Sequence, residues 1–439
     1  MDQLIPSLAP LLAALAPAFR LEVHGLFCQM VGAWIVCLGR RSVSRVWETT
    51  GQADRRNHAS PFRLFSEAVW NWDEVCRLVL LQILARLLPG SCVWLVVDDT
   101  LGHKRGAKVA FGGIFLDAVL SSKRHKVFRF GNNWVLLGAV VELPFRPHRY
   151  FCLPILWRVY EKRGTKSPKE HRTKSQLAAA MLAVVAGWFP QRHFMVVADS
   201  AYLGKHLLRG RPANVEALGP LCWKAALYEA VAQPRRGRQH GRRWPTPRAL
   251  LDDDQRWPAP RLPIQFKDGC TRALDVKVVH GVCWYSAAGA QAVQVVLVRD
   301  PQGQWREEAL VCTDVTLPAA LVIRGYCRRW SVEVAICDAK QFLGFHDPQV
   351  WCAASVQRAA PMAWFVGTVV VVWYAWGGKD GAQAHRHRPW YRHKETPTFA
   401  DMLAACRVQL WQHWLAESGS AAESQDKLAW LVEYLATSQ

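Results

Sequence analysis

Two short apolar runs that end in acidic residues constrain the fold of this chain more than any other feature. CVWLVVDD spans residues 92–99, and HFMVVAD spans residues 193–199. Nearly every position in both runs is apolar, which is typical of strands buried on both faces of a sheet. Further strand-like runs occupy 134–143 and 150–160, and a helical run occupies 174–189. This order predicts an α/β fold, a mixed sheet with helices on its faces.

The acidic residues at the ends of these strands are candidate metal ligands. Asp98 and Asp99 end the first strand, and Asp199 ends the second. Strand ends in an α/β sheet face the crevice where ligands bind, and carboxylate oxygens are ligands that Mg²⁺ prefers. Neighbouring residues of a strand point to opposite faces, so we expect only one of Asp98 and Asp99 to bind metal. A single acid at a strand end is more often a turn or helix cap.

A third acid lies within a polar stripe in the segment YCRRWSVEVAICDAK. The four members of the stripe are Tyr326, Arg329, Glu333 and Lys340. An α-helix turns about 100° per residue, so a single helix would place all four within about 60° of one another. The two cations can bind phosphate oxygens and the phenol can donate a hydrogen bond, which leaves Glu333 to bind metal. Asp338 lies about 140° further around such a helix and is the weaker candidate.

Charge and cysteine content narrow the class of protein. The chain has 55 lysines and arginines against 35 aspartates and glutamates, a net charge of +20. Such a surplus suits a polyanionic partner, of which nucleic acid is the commonest. The 13 cysteines form no CxxC or CxxH pair, which argues against a zinc site and a disulfide framework. We therefore expect a cytoplasmic protein whose cysteines are reduced.

One uncharged segment, residues 359–376, reaches the lower length limit of a membrane span. Pro361 and Gly367 interrupt it, and a helix buried on all sides has the same composition. We predict a core helix and no membrane partner.

Basic residues cluster near the predicted site and in one long loop. Lys104 and Arg105 follow the first acidic pair, and Lys123, Arg124 and Lys126 precede the next strand. The segment 233–248 is rich in arginine, glycine and proline and contains Arg235, Arg236, Arg238, Arg242 and Arg243. We expect these cations to contact the DNA backbone with little sequence specificity. For any one of them alone, improved solubility is an equally good explanation.

A short segment, Ser42–Thr50, is a candidate DNA-reading helix. It lies in a helical region and is surrounded by Arg40, Arg41, Arg45, Arg55 and Arg56. A solvated basic helix face explains the same pattern.

With these motifs identified, the chain resembles bacterial insertion-sequence transposases of the DDE class, which have an RNase H-like catalytic fold. It matches the branch with a Y-x2-R-x3-E-x6-K signature at Tyr326, Arg329, Glu333 and Lys340. The DDT and ADSAY runs resemble that branch's first and second catalytic aspartates. The acid directly before Thr100 corresponds best, so the resemblance selects Asp99 over Asp98. It covers roughly residues 92–345.

The resemblance implies an RNase H-like core interrupted by a β-rich insertion. Strand-like runs at 273–285, 292–299 and 306–313 support the insertion, and one long helix is expected from about 316 to Phe342. The expected regions are a helical DNA-binding part (1–90), the first part of the core (91–224), the insertion (225–312), the glutamate helix (313–345) and a helical C-terminal part (346–439).

The resemblance also implies a mechanism. Asp99, Asp199 and Glu333 would hold two Mg²⁺ ions, or Mn²⁺ in their place, and an activated water would nick one DNA strand. The freed 3′-hydroxyl would then attack the second strand or a target. Double-stranded DNA, as terminal inverted repeats and target, and a homodimer that pairs two ends are the implied partners. Alternatives are a stand-alone nuclease of the same fold and a non-catalytic DNA-binding descendant.

Relatives with such an insertion can pass through a DNA hairpin helped by a flipped base. A stacking aromatic residue is therefore expected in the insertion. The candidates are Trp244, Trp257 and Trp284, and the sequence does not distinguish among them.

Overall fold

The structure is a computed structural model. It describes residues 4–51, 57–90, 92–164, 170–255, 259–266, 269–378, 394, 396–417 and 420–437. The predictions made for Arg55, Arg56 and Trp257 lie outside the described residues.

Helices form the first part of the chain, as predicted. They are α1 (Ala9–Ala13), a 3₁₀ turn (Ala16–Ala18), α2 (Leu21–Val36), α3 (Val43–Glu48), α4 (Ala59–Ser66) and α5 (Trp72–Arg86). The candidate DNA-reading segment forms α3, whose Val46 and Trp47 are buried. Arg41 is also buried, and its guanidinium donates to the carbonyls of Trp34 and Cys37. Arg41 therefore stabilises the helical region, while DNA reading by α3 stays a prediction.

The central sheet confirms the mixed α/β prediction and has the strand order of an RNase H-like core. Its first strands are β1 (Cys92–His103), β2 (Gly113–Leu116), β3 (Phe128–Leu143), β4 (Arg146–Tyr160), β5 (His193–Val197) and β6 (Val215–Pro220). The core runs in the order β4-β3-β1-β5-β6. Pairing is antiparallel among β4, β3 and β1, and parallel from β1 through β5 to β6.

Two helices follow strands of this core. Helix α6 (Lys174–Trp188) occupies the predicted helical run, and Thr173 caps it in a capping box with Gln176. Helix α7 (Lys205–Arg209) follows β5. Both precede a strand that continues the parallel part of the sheet.

The β-rich segment extends the core sheet. Its elements are β7 (Tyr228–Glu229), α8 (Pro247–Asp252), β8 (Arg261–Gln265), β9 (Thr271–Cys283), α9 (Tyr285–Ala288), β10 (Ala292–Arg299) and β11 (Glu308–Cys312). β11 pairs antiparallel with β6, and the path continues through β10 and β9 to β7. The inserted strands and the core strands therefore share one set of backbone hydrogen bonds.

The prediction of a single helix from about 316 to Phe342 was wrong, because the segment forms two helices. They are α10 (Ala319–Cys327) and α11 (Trp330–Phe342). At the junction the backbone bonds tighten to three-residue spacing, with the Arg329 amide donating to the Tyr326 carbonyl at 3.1 Å. The Ser331 hydroxyl also donates to the Arg328 carbonyl at 2.7 Å, which competes with regular helix bonding.

The C-terminal part is helical, with α12 (Ala353–Ala359), α13 (Met362–Trp376), α14 (Phe399–Ala416) and α15 (Ala421–Thr437). The stretch Ala353–Trp376 is long and apolar enough to cross a membrane, yet 83% of its most apolar window is buried inside the protein. Thr368 in this helix donates to the Pro154 carbonyl of β4. These contacts agree with the predicted core helix.

Candidate active site

The register of two parallel strands places the acidic residues together. β1 pairs with β5 up to the match of Val96 with Val197. Asp98 lies in β1 two residues after Val96, and Asp199 lies in the loop two residues after Val197, just beyond the end of β5. Matched residues of neighbouring strands share a face and lie about 4.8 Å apart across the sheet. Continued two residues past the last matched pair, the register favours Asp98 over Asp99 as the neighbour of Asp199.

The surroundings of Asp98 agree with that placement. Burial is the main cause that raises the pKa of this carboxyl to about 7, and the nearby charges of Asp99 and Asp199 contribute to the rise. The backbone amide of Asp99 donates to one oxygen of Asp98 at 2.8 Å, and a guanidinium nitrogen of Arg329 lies 3.7 Å from the other. A largely buried carboxylate beside two acids and one arginine is a group whose charged form is stabilised by a bound cation.

Asp99 points to the other side of β1 and has partners there. Its Oδ2 accepts from the ammonium of Lys174, at the start of α6, at 2.5 Å. Its Oδ1 accepts from the Tyr202 hydroxyl at 2.7 Å. Burial and this carboxylate raise the pKa of Tyr202 well above its usual range. Both oxygens of Asp99 are thereby used to join β1 to α6 and to the turn after β5.

Asp199 organises the turn that follows β5. Its Oδ1 accepts from the backbone amides of Ala201 at 2.9 Å and Tyr202 at 3.2 Å. This is the turn-capping role that a single strand-end acid commonly has. Tyr202, held by the same turn, reaches the Asp99 carboxylate, so one turn connects the two acidic strand ends.

Glu333 reaches the acidic pair through Arg329. The Arg329 guanidinium lies 2.7 Å from a Glu333 oxygen and 3.7 Å from Asp98. Arg329 also hydrogen-bonds with Tyr326, whose pKa is raised by burial. The first three members of the signature therefore meet, although the helix breaks between Tyr326 and Glu333.

Lys340, the fourth member, lies in a different environment. Burial lowers the pKa of its ammonium, while Asp117 favours the charged form. Lys340 lies seven positions after Glu333 on α11, which corresponds to a rise of about 10 Å along the helix. Lys340 therefore lies about two turns of α11 away from Glu333.

The cations expected to bind DNA backbone divide into two groups. Lys104 is largely buried, and its ammonium donates to the carbonyls of His346 at 3.0 Å and Pro348 at 2.8 Å. This geometry disfavours Lys104 as a phosphate contact. Arg105 is exposed, as are the five arginines of the insertion loop, Arg235, Arg236, Arg238, Arg242 and Arg243. A tight turn in which Arg235 and Arg238 exchange backbone hydrogen bonds holds the tip of that loop.

An open cavity of about 560 Å³ adjoins this site. Its lining residues are Phe266, Arg272, Trp305, Arg306, Glu308, Tyr326, Cys327, Arg329 and Trp330. Trp305 packs edge-on against Phe266 with ring centroids 5.1 Å apart. The two described tryptophans that the sequence suggested as stacking residues, Trp244 and Trp284, are not among the residues that line this cavity.

Sequence reasoning left one choice to the family resemblance and missed two features of the site. The β1 positions from Leu95 to Val97 are all buried, so no hydrophobic alternation shows which of Asp98 and Asp99 shares a face with Asp199. The sequence indicates a helix that begins at Lys174, but not the contact of the Lys174 ammonium with Asp99. Trp305 lies in the segment before β11, and it lines the cavity together with Tyr326 and Arg329, which come after β11 in the chain.

A sheet of RNase H-like order with aspartates at two neighbouring strand ends and an arginine-linked glutamate defines a nuclease of the RNase H-like class. More narrowly, the chain belongs to the DDE superfamily endonucleases, because the model of that family matches residues 26–281, more than half of the chain. The matched segment contains Asp98, Asp99 and Asp199 and ends before Glu333. A comparison with curated proteins found no match.

The acidic residues fit the divalent ions that such nucleases use. Asp98, Asp199 and Glu333 offer hard carboxylate oxygens, and their mutual repulsion favours a cation. Within the described part of the chain, no three acidic, histidine or cysteine side chains are close enough together to hold an ion as they stand. Arg329 lies between Asp98 and Glu333 in this arrangement, at 3.7 and 2.7 Å from their carboxylates.

Proposed function

We propose that the protein is a transposase that binds the ends of a mobile DNA element and performs metal-dependent strand cleavage and strand transfer. The observation that carries the proposal is the placement of Asp98 and Asp199 two residues after the last matched pair of β1 and β5, with Arg329 joining Asp98 to Glu333. Family membership supports DNA cleavage in general. The four signature residues, Tyr326, Arg329, Glu333 and Lys340, favour the insertion-sequence branch.

Asp98, Asp199 and Glu333 would hold two Mg²⁺ ions, or Mn²⁺, which would activate a water or a 3′-hydroxyl and stabilise the leaving oxygen. Asp99 would act as a positioning residue that fixes β1 against Lys174 and Tyr202. Arg329 and Tyr326 would bind the phosphates next to the cut, because both line the neighbouring open cavity. Two copies of the chain would be needed to pair two DNA ends.

Strand transfer distinguishes this proposal from a simple nuclease. We expect purified protein with Mg²⁺ to cut a linear duplex at the junction between element end and flanking DNA, and to join the released 3′ end to a supercoiled plasmid. Denaturing gels would detect both products, and EDTA should abolish both.

Cleavage without joining, on DNA that lacks the inverted repeats, would favour the stand-alone nuclease. DNA binding without cleavage at any Mg²⁺ or Mn²⁺ concentration would favour the non-catalytic descendant.

The cavity beside Arg329 suits one unpaired nucleotide. Trp305, Phe266 and Trp330 offer aromatic faces for a base, and Arg272, Arg306 and Arg329 offer charge for its phosphate. We propose that a base displaced during cleavage stacks there. The nucleotide would then be held directly next to the reacting phosphodiester.

Replacing Trp305 by alanine tests the cavity. Stacking of one base on an aromatic ring contributes about 1–3 kcal/mol, so Trp305→Ala should slow processing of the second strand by roughly 5- to 150-fold. Trp351→Ala, at an exposed tryptophan outside the cavity, is the matched control. A fluorescent 2-aminopurine base at the junction should lose its emission on stacking in the wild type and regain it in Trp305→Ala. Equal rates and equal emission in both variants would contradict the proposal.

A further inference from the structure

A β-hairpin extends from the edge of the sheet beside the candidate active site. It comprises residues 113–130, and we call it the finger. β2 pairs with the first residues of β3, from Gly113 with Gly131 to Leu116 with Phe128. β1 begins to pair with β3 at Gly131, and β4 begins at Asn133. The finger therefore projects beyond both strands that flank β3.

Hydrogen bonds give the finger a fixed shape at its base. One oxygen of the buried Asp117 accepts from the backbone amides of Val119 at 3.0 Å and Leu120 at 3.1 Å. The other lies 2.6 Å from Nε2 of His103, the last residue of β1. The finger is thus held by the strand that carries Asp98, and its base lies close enough to Lys340 for Asp117 to influence that ammonium.

The charge of the finger is almost entirely positive. Its exposed cations are Lys123, Arg124, Lys126 and Arg129. Asp117 is the only acidic residue between Asp99 and Glu142, and it is buried and paired with His103. The exposed surface of the finger is therefore suited to a polyanion.

Large apolar side chains are exposed on the same hairpin. Val119 is 82% exposed at the tip and Phe128 is 59% exposed on β3, with Ile114, Leu116 and Leu120 also exposed. Some DNA-binding proteins insert apolar side chains at base steps and bind the adjacent phosphates with flanking cations. Pairing of the β2 edge with a second copy of the chain is less favourable, because it would bring the four cations of each finger together.

We propose that the finger binds duplex DNA next to the cleavage site, with Val119 and Leu120 against the bases and Lys123, Arg124 and Lys126 on phosphates. This inference rests on the proposed function, since the DNA at the active site sets where the duplex runs. The finger would bend or open the duplex at the step that its tip contacts. Lys340 would lie between the finger and Glu333, so one DNA strand could contact all three.

The test measures how tightly a fluorescently labelled duplex, which includes flanking DNA, binds to the protein. The parent protein carries Glu333→Gln, because that variant is expected not to cut the duplex. The double variant Val119→Ser with Leu120→Ser should weaken binding by about tenfold and abolish the rise in 2-aminopurine emission at the contacted step. The triple variant Lys123→Ala, Arg124→Ala and Lys126→Ala should reduce the slope of log affinity against log salt by about 2 to 3. Val432→Ser with Leu435→Ser, an exposed apolar pair on α15, is the matched control.

The outcomes separate this inference from the function on which it rests. Unchanged affinity, salt slope and emission in both finger variants, with firm binding by the parent protein, would overturn the finger alone. Absence of DNA binding by the parent protein would overturn the proposed function as well. Conversion of a dimer to a monomer by the apolar variant, with DNA binding unchanged, would assign the finger to self-association and overturn the inference.

Discussion

Asp98→Asn should abolish DNA cleavage, whereas Asp99→Asn should leave a reduced but measurable rate. Asp98 and Asp199 each follow the last matched pair of β1 and β5 by two residues, and Asp98 lies 3.7 Å from Arg329. Both oxygens of Asp99 are instead bonded to Lys174 and Tyr202. Losing a metal ligand costs several kcal/mol of transition-state stabilisation, about 1000-fold in rate. Losing a supporting residue costs about 10- to 100-fold. Single-turnover cleavage of a labelled duplex measures both.

The two variants should also differ in stability, which gives an independent readout. The pKa of Asp98 is raised on folding, so its contribution to stability is present at low pH and is lost as the pH rises through about 7. At pH 8, Asp98→Asn should therefore increase the free energy of unfolding. Asp99→Asn should lower it, because the ion pair with Lys174 is lost. Inactivity of Asp99→Asn together with activity of Asp98→Asn would instead support Asp99 as the metal ligand, which is the assignment that the family resemblance favours.

Glu333→Gln should abolish cleavage with DNA affinity retained, while Asp338→Asn should cut normally. Both acids lie on α11, but Glu333 contacts Arg329, whereas Asp338 lines a small pocket with Arg146 and Phe151. The expected loss for Glu333→Gln is about 1000-fold, as for any ligand of the catalytic ions. Cleavage rates and anisotropy binding curves measure the two properties separately.

Asp338→Asn is a matched control because it makes the same chemical change on the same helix. Burial raises the pKa of Asp338 to about 6, so the amide should be tolerated in its place. Normal cleavage by Glu333→Gln would end the assignment of α11 as the catalytic helix.

The sequence predicted the core of the fold well, because its strands are long, apolar and bounded by clear signals. The strands predicted at 134–143, 150–160 and 193–198 end within one residue of β3, β4 and β5, although β3 begins six residues and β4 four residues earlier than predicted. The break between α10 and α11 was not predicted. It depends on local hydrogen bonds of Ser331 and on the packing of Gly325 against Trp94, neither of which changes the apolar periodicity.

The site itself was only partly predictable. Residue types identified Glu333 and two acidic strand ends, but the selection between Asp98 and Asp99 needs the register of β1 against β5. The aromatic cavity needs Trp305 and Tyr326 to meet, which follows from pairing between strands far apart in the chain. Such non-local contacts leave no pattern in a single sequence.

The order of elements along the chain has a consequence for how this protein is made. Both aspartate-bearing strands leave the ribosome more than a hundred residues before α11, and β11, which pairs with β6, precedes that helix. A nascent or prematurely terminated polypeptide that lacks α11 would carry two of the three carboxylates and no means of cutting a chromosome. On the proposed assignment, completion of α11 would thus be the step that supplies the third metal ligand, Glu333.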